Sequence, residues 1–182
     1  MESSGVAPDV VDVVPPTLVQ VSYGSGVTVN EGNELTPTQV KDVPTNVSWP
    51  TEPGVFYTLC MTDPDAPTRA EPTLREVKHW LVVNIPGTDI GKGTTIAEYR
   101  GSGPPQGSGM HRYVFLVYRQ SDQLDVGGEV FSSRSMRKGR LQFRIRDFAV
   151  KYGLGQPIAG NFYQAQFDDY VPILHAQLSH DQ

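Results

Sequence analysis

Asp63, His79, His111 and Tyr113 are the side chains best suited to acid, base or anion chemistry, and each adjoins a strongly apolar run. Asp63 opens a proline-locked acidic turn, Asp63-Pro64-Asp65-Ala66-Pro67-Thr68-Arg69, one residue after the run Phe56–Met61. Asp63 and Asp65 point the same way if strand geometry continues through the turn, and the prolines lower the entropy of holding them there. The competing reading is a solvated turn whose aspartates cap local amides. A second loop, Gly101-Ser102-Gly103-Pro104-Pro105-Gln106-Gly107-Ser108-Gly109, lets backbone amides approach a ligand and form an anion nest. It is no dinucleotide loop, because its glycine spacing is off by one, two prolines remove donors, and a strand follows. His111-Arg112-Tyr113 then opens the run Val114–Tyr118, which puts His111 and Tyr113 on one face and Arg112 on the other. Imidazole and phenol both donate to oxyanions. The bland alternative makes Tyr113 core and His111 a satisfied polar residue at a strand end.

The mixture suits a small polar anion. Two histidines and two aspartates also match a metal set by type, but no His-x-His or His-Glu-x-x-His spacing supports one. No metal or cofactor is expected. Hydrolysis fares no better: there is no Gly-x-Ser-x-Gly elbow, and Cys60 lies inside an apolar run. No catalytic residue is assigned. The rival enzyme reading uses His111 and Asp63 as acid and base on a small phosphoester or acyl substrate.

These residues need a rigid frame. At 182 residues and 20.0 kDa the chain fits one domain, 1–182. Its 15 prolines and 18 glycines fall between apolar stretches, which points to short strands joined by turns. Strands are expected at Leu18–Tyr23, Val47–Trp49, Phe56–Thr62, His79–Ile85, Arg112–Tyr118 and Phe162–Phe167. The nearly continuous runs Phe56–Met61 and Trp80–Ile85 should be central and covered on both faces. Helical signals are few: one helix from Asp147 to a stop at Gly153, one over Val171–Leu178, and one from Pro8 to before Pro15. The fold expected is mostly β, an antiparallel β-sandwich with a few short peripheral helices, one of them C-terminal.

A net charge of −5 argues against nucleic acid as a partner. No apolar run reaches membrane-spanning length. The N-terminus reads as no secretory signal, and a lone buried cysteine suits a cytoplasmic, reducing compartment. A basic run, Arg134, Arg137, Lys138, Arg140, Arg144 and Arg146, stands out against the acidic chain. It reads either as a solvated loop or as a weak contact for anionic membrane.

Taken together, Asp63 through Arg69, Arg75-Glu76 with His79, Gly101–Pro105 and Gly109-x-His111-Arg112-Tyr113 resemble the phosphatidylethanolamine-binding protein family. That family includes the Raf kinase inhibitor proteins. Pro157–Gln166 and Asp168–Pro172 extend the match, and Leu154-Gly155-Gln156-Pro157 looks closer to invertebrate members. The resemblance implies a ligand cavity lined by Asp63, Pro67, His79, Gly103, Pro105, His111 and Tyr113. Asp65, Arg75, Glu76, Pro104 and Arg112 would support it, and the Ala66–Pro67 and Arg75–Glu76 bonds would be cis. It further implies a non-enzymatic, monomeric regulator whose partners are a phosphate-bearing headgroup such as phosphorylethanolamine and protein kinases. Three positions depart from mammalian relatives: Val77 replaces a tryptophan, His175 a tyrosine, and Asp147 a phosphorylated serine.

Overall fold

The runs Phe56–Met61 and Trp80–Ile85 carry apolar side chains on both faces, so they are stable only where both faces are covered. In the computed structural model, which describes residues 1–179, they are neighbours within one sheet. The strands are β1 (Thr17–Leu18), β2 (Gln20–Ser22), β3 (Asn33–Glu34), β4 (Asn46–Ser48), β5 (Phe56–Asp63), β6 (Val77–Pro86), β7 (Thr94–Ala97), β8 (His111–Gln120) and β9 (Ala159–Ala165). Seven of them form one sheet in the order β1-β9-β8-β5-β6-β7, with β3 also on β9. β2 and β4 make a separate antiparallel ribbon.

The chain is mostly β, but the expectation of an antiparallel sandwich needs correction. β1 and β3 both run parallel to β9, so the large sheet is mixed, and the second sheet is a ribbon rather than a full layer. Apolar patterning reports which face is buried and says nothing of a neighbour's direction. The chain leaves β9 after β1 to form β2, then returns on the same heading as β3. The segment expected as one strand over Leu18–Tyr23 therefore splits at Val19. β3 and β7 carry no long apolar run to announce them.

Both faces of the central strands are covered. On one, Tyr57, Leu59, Met61, Trp80, Val82, Tyr113 and Phe115 pack against Val21, Val47 and Trp49 of the ribbon side. On the other, Cys60, Leu81, Val83, Val114 and Leu116 pack under Val6, Val10, Ile145 and Phe148. Each such large apolar side chain contributes about 1.5–3 kcal/mol by leaving water. Cys60 is free and buried, and burial pushes its thiol well up.

The helices are short: α1 (Val6–Asp9), α2 (Ile145–Tyr152) and α3 (Val171–Gln177). α1 starts before Pro8 and stops at Asp9, well short of Pro15; Ala7 is extended and the Ala7–Pro8 bond is cis. α2 begins at Ile145, so Asp147 lies in its first turn and does not cap it. Its stop is Gly153, whose left-handed φ of 65° lets the chain reverse while its amide bonds back to the helix. α3 keeps Pro172 in its first turn, where no intrahelical donor is needed.

Candidate functional site

β5 ends at Asp63 because that carboxylate caps the next turn. Its Oδ1 accepts the Asp65 amide at 2.7 Å, an Asx turn. The turn breaks strand alternation, so the two aspartates part rather than share a face. Asp63 meets β8 on the side of His111, with Oδ2 2.8 Å from His111 Nδ1. Asp65 meets Arg112: Nε donates to Oδ2 at 2.8 Å, Nη2 to Oδ1 at 2.7 Å, and the Arg112 amide to Oδ2 at 2.9 Å. Arg112 also donates to Asp9 Oδ2 at 2.8 Å and the Ser4 carbonyl at 2.9 Å. Burial pushes Asp65 up, but its bonds from Arg112 win and hold the carboxyl below its usual range. Asp63 goes the other way: burial raises it, and His111 only partly offsets that.

Arg75 braces the turn, its Nε donating to the Pro64 carbonyl at 2.6 Å. Glu76 reaches under it, where Oε1 accepts from Thr62 Oγ1 at 3.0 Å and from the Ile145 amide at 3.3 Å. Burial drives the Glu76 carboxyl up to about 7 despite those bonds. The Ala66–Pro67 and Arg75–Glu76 bonds are both cis.

A cavity of about 200 Å³ opens between this turn, the 101–105 loop and α3. Asp63, Pro67, His79, Gly103, Pro105, His111 and Tyr113 line it, together with Pro104, Val77 and His175. Asp65, Arg75, Glu76 and Arg112 stand behind the wall. His175 Nε2 lies 3.0 Å from the Gly103 carbonyl, so α3 is fastened to the loop. Gly101 serves packing rather than a ligand, since a Cβ there would sit 2.6 Å from the Val40 carbonyl oxygen.

Hydrogen accounting separates His79 from His111. His79 Nδ1 is 2.7 Å from the Arg100 carbonyl, which can only accept, so Nδ1 carries the hydrogen. Burial, then the Arg100 charge, lowers the His79 pKa to about 3. The ring is neutral, and its Nε2 is an acceptor. His111 is tied at both nitrogens, to Asp63 through Nδ1 and to Ser108 Oγ through Nε2 at 3.0 Å. Ser108 directs its hydrogen to the Pro105 carbonyl at 2.7 Å, so its oxygen is left to accept from His111. The Asp63–His111 bond is buried, and it pulls the Asp63 pKa down against the larger rise that burial causes. Tyr113 stacks on Tyr163 with ring centroids 5.1 Å apart and meets His79 edge-on at 5.3 Å.

Sequence reasoning missed Ser108, three residues before His111, and Arg100, and it read Arg137 only as part of the basic run, whereas both arginines line the cavity. Arg100 lies outside the segments that drew attention. The basic run is dispersed rather than a surface band. Arg140 is buried and its Nη2 donates to the Glu98 carbonyl at 2.9 Å, whereas Arg146 pairs with Asp12 at 3.0 Å. Among the described residues no three metal-ligating side chains cluster, and no helix is long and apolar enough to cross a membrane.

Comparison with known proteins gives this arrangement a context. A putative odorant-binding protein A5 of Drosophila melanogaster is 43% identical over 174 residues, covering 96% of this chain and 82% of the relative. The solution structure of CG7054 is 51% identical with a TM-score of 0.76, covering 96% of this chain and 98% of that one. A carboxypeptidase Y inhibitor, solved in complex with its cognate proteinase, superposes with a TM-score of 0.76 at 26% identity, covering 92% and 93%. The model of the phosphatidylethanolamine-binding protein family matches residues 25–164, and this chain belongs to that family.

Proposed function

We propose that this chain, as one domain over 1–182, is a monomeric binding and regulatory module of the cytoplasm rather than an enzyme. Its cavity takes a phosphate-bearing headgroup, phosphorylethanolamine being the simplest form, and occupancy modulates kinases or other signalling proteins. One observation carries the reading: the only carboxylate lining the cavity among the described residues, Asp63, is already paired with His111. An unpaired aspartate would repel an anion. The proteinase held by the carboxypeptidase Y inhibitor supports a protein-docking role for the same kind of fold. The lone buried thiol supports the compartment. Phosphorylethanolamine should shift the amide NMR signals of Gly103 and His111. Shifts there from acyl chains alone would defeat the headgroup assignment.

The hydrolase reading gains one observation, the relay Ser108–His111–Asp63. A serine nucleophile needs its hydrogen aimed at the base. Here it is aimed at the Pro105 carbonyl, so His111 is not placed to remove it. Ester turnover that disappears in Ser108→Ala would restore the enzyme reading.

A further inference from the structure

Beyond the turn and the histidines, the cavity has a second charged wall. Arg100 and Arg137 both line it. Arg100 is only 7% exposed, and its Nη1 donates to the Met136 carbonyl at 3.2 Å. Neither arginine forms an ion pair with an acid among the described residues. Arg140 adds a third positive charge nearby, and its guanidinium bonds to backbone carbonyls such as those of Met136 and Lys78, at 2.9 Å each. Burial first, then Arg140 and Arg137, bring the Arg100 pKa down to about 9. A cation so placed lacks a counter-charge, in a chain whose net charge is −5. Burying an unpaired charge is costly, and a ligand anion relieves that cost on binding.

We propose that Arg100 and Arg137 form a second anion subsite, so that the cavity takes a small ligand bearing a phosphate, an N–H donor and a further anionic group. An O-phosphoserine-type headgroup has this chemistry. The inference rests on the headgroup reading of the same cavity and names the class of headgroup. The phosphate lies against the His111 side and the loop amides. The ammonium donates to the acceptor nitrogen of His79. The carboxylate meets the guanidinium fork, whose geometry suits two parallel hydrogen bonds. A phosphorylated peptide fits less well, because its amine and carboxyl are consumed as neutral amides.

O-phospho-L-serine and phosphorylethanolamine share phosphate and ammonium and differ by one carboxylate, so titration calorimetry of the intact protein isolates the subsite. Phosphoserine should bind about tenfold tighter, the expected scale for one charge-assisted pair. Arg100→Gln should abolish that preference. Arg137 is exposed, so Arg137→Gln keeps the test open if the buried variant fails to fold, and it should narrow the preference at least about threefold. Equal affinities overturn the subsite and leave the headgroup reading standing, as does a preference that survives Arg137→Gln. Amides of Gly103 and His111 unmoved by either compound overturn both. A phosphoserine peptide, capped at both ends, binding tighter than free phosphoserine also overturns the inference. Bicelles of phosphatidylserine and phosphatidylethanolamine should show the same order, and their affinity relative to the free compounds tells a lipid source from a soluble one.

Discussion

His79 and Asp65 show how burial and the partners met on burial together decide the chemistry of a single residue. His79 has its hydrogen committed to the Arg100 carbonyl and stays neutral, with a pKa of about 3. Its free nitrogen therefore accepts, and it should reward a ligand that carries N–H. Phosphorylcholine, with no N–H, should bind about fivefold more weakly than phosphorylethanolamine, the value of one net hydrogen bond of roughly 1 kcal/mol. In His79→Ala the two should converge; equal affinities for the unaltered protein would contradict the acceptor assignment. Asp65 is buried against Arg112 with two side-chain bonds. Asp65→Asn leaves a buried guanidinium half-partnered, at a cost of about 3 kcal/mol, the low end because Asp9 remains. Urea denaturation at pH 7 reads this directly. Because the Asp65 pKa is depressed, its contribution is present above the unfolded carboxyl value and lost as pH falls through the folded one.

Among the elements, α2 is attached to the β5–β6 connection through Glu76. Backbone bonds join Glu76 and Phe143 in both directions, at 2.7 and 2.9 Å, and the side chain receives the Ile145 amide. With a folded pKa of about 7 against about 4.5 unfolded, native Glu76 holds a proton that the unfolded chain has released. Stability therefore falls as pH rises between those values. His79, lowered to about 3, acts with opposite sign: stability falls as pH drops below about 6.5. Glu76→Gln removes only the first effect. The gap in unfolding free energy between Glu76→Gln and the parent protein should grow in the variant's favour by about 2 kcal/mol from pH 5 to pH 8. A gap that does not change with pH would mean that Glu76 is ionised throughout.

Across the whole molecule, protection should follow the layering. β5, β6 and β8 are covered on both faces and paired over long registers, whereas β1 and β3 are two residues each. Hydrogen exchange should leave the amides of Leu59, Leu81 and Leu116 among the slowest and release β1 and β3 by local opening at much lower free energy. Uniform protection across the mixed sheet would mean that it opens as one unit. The same layering keeps the open end of β8 rigid, which holds His111 and Tyr113 in place at the cavity.

The sequence by itself determined what short-range rules can carry. Continuous apolar runs named the doubly covered strands, Gly153 marked the end of α2, and alternation put His111 and Tyr113 on one side and Arg112 on the other. The acidic turn and the glycine-proline loop pointed to the residues that gather at the cavity. Tertiary structure decided the rest. Asp63 and Asp65 diverge because an Asx turn ends the strand, which a two-residue period cannot foresee. β1 and β3 run parallel to β9 because the ribbon excursion returns on the same heading, and a burial pattern has no direction in it. Arg100 and Arg137 reach the cavity through packing across distant segments, so neither the acidic turn nor the glycine-proline loop contains them. The shifted pKa values of Asp63, Glu76 and His79 follow from burial and from partners brought in by folding, and such energies exist only once the chain has closed around them.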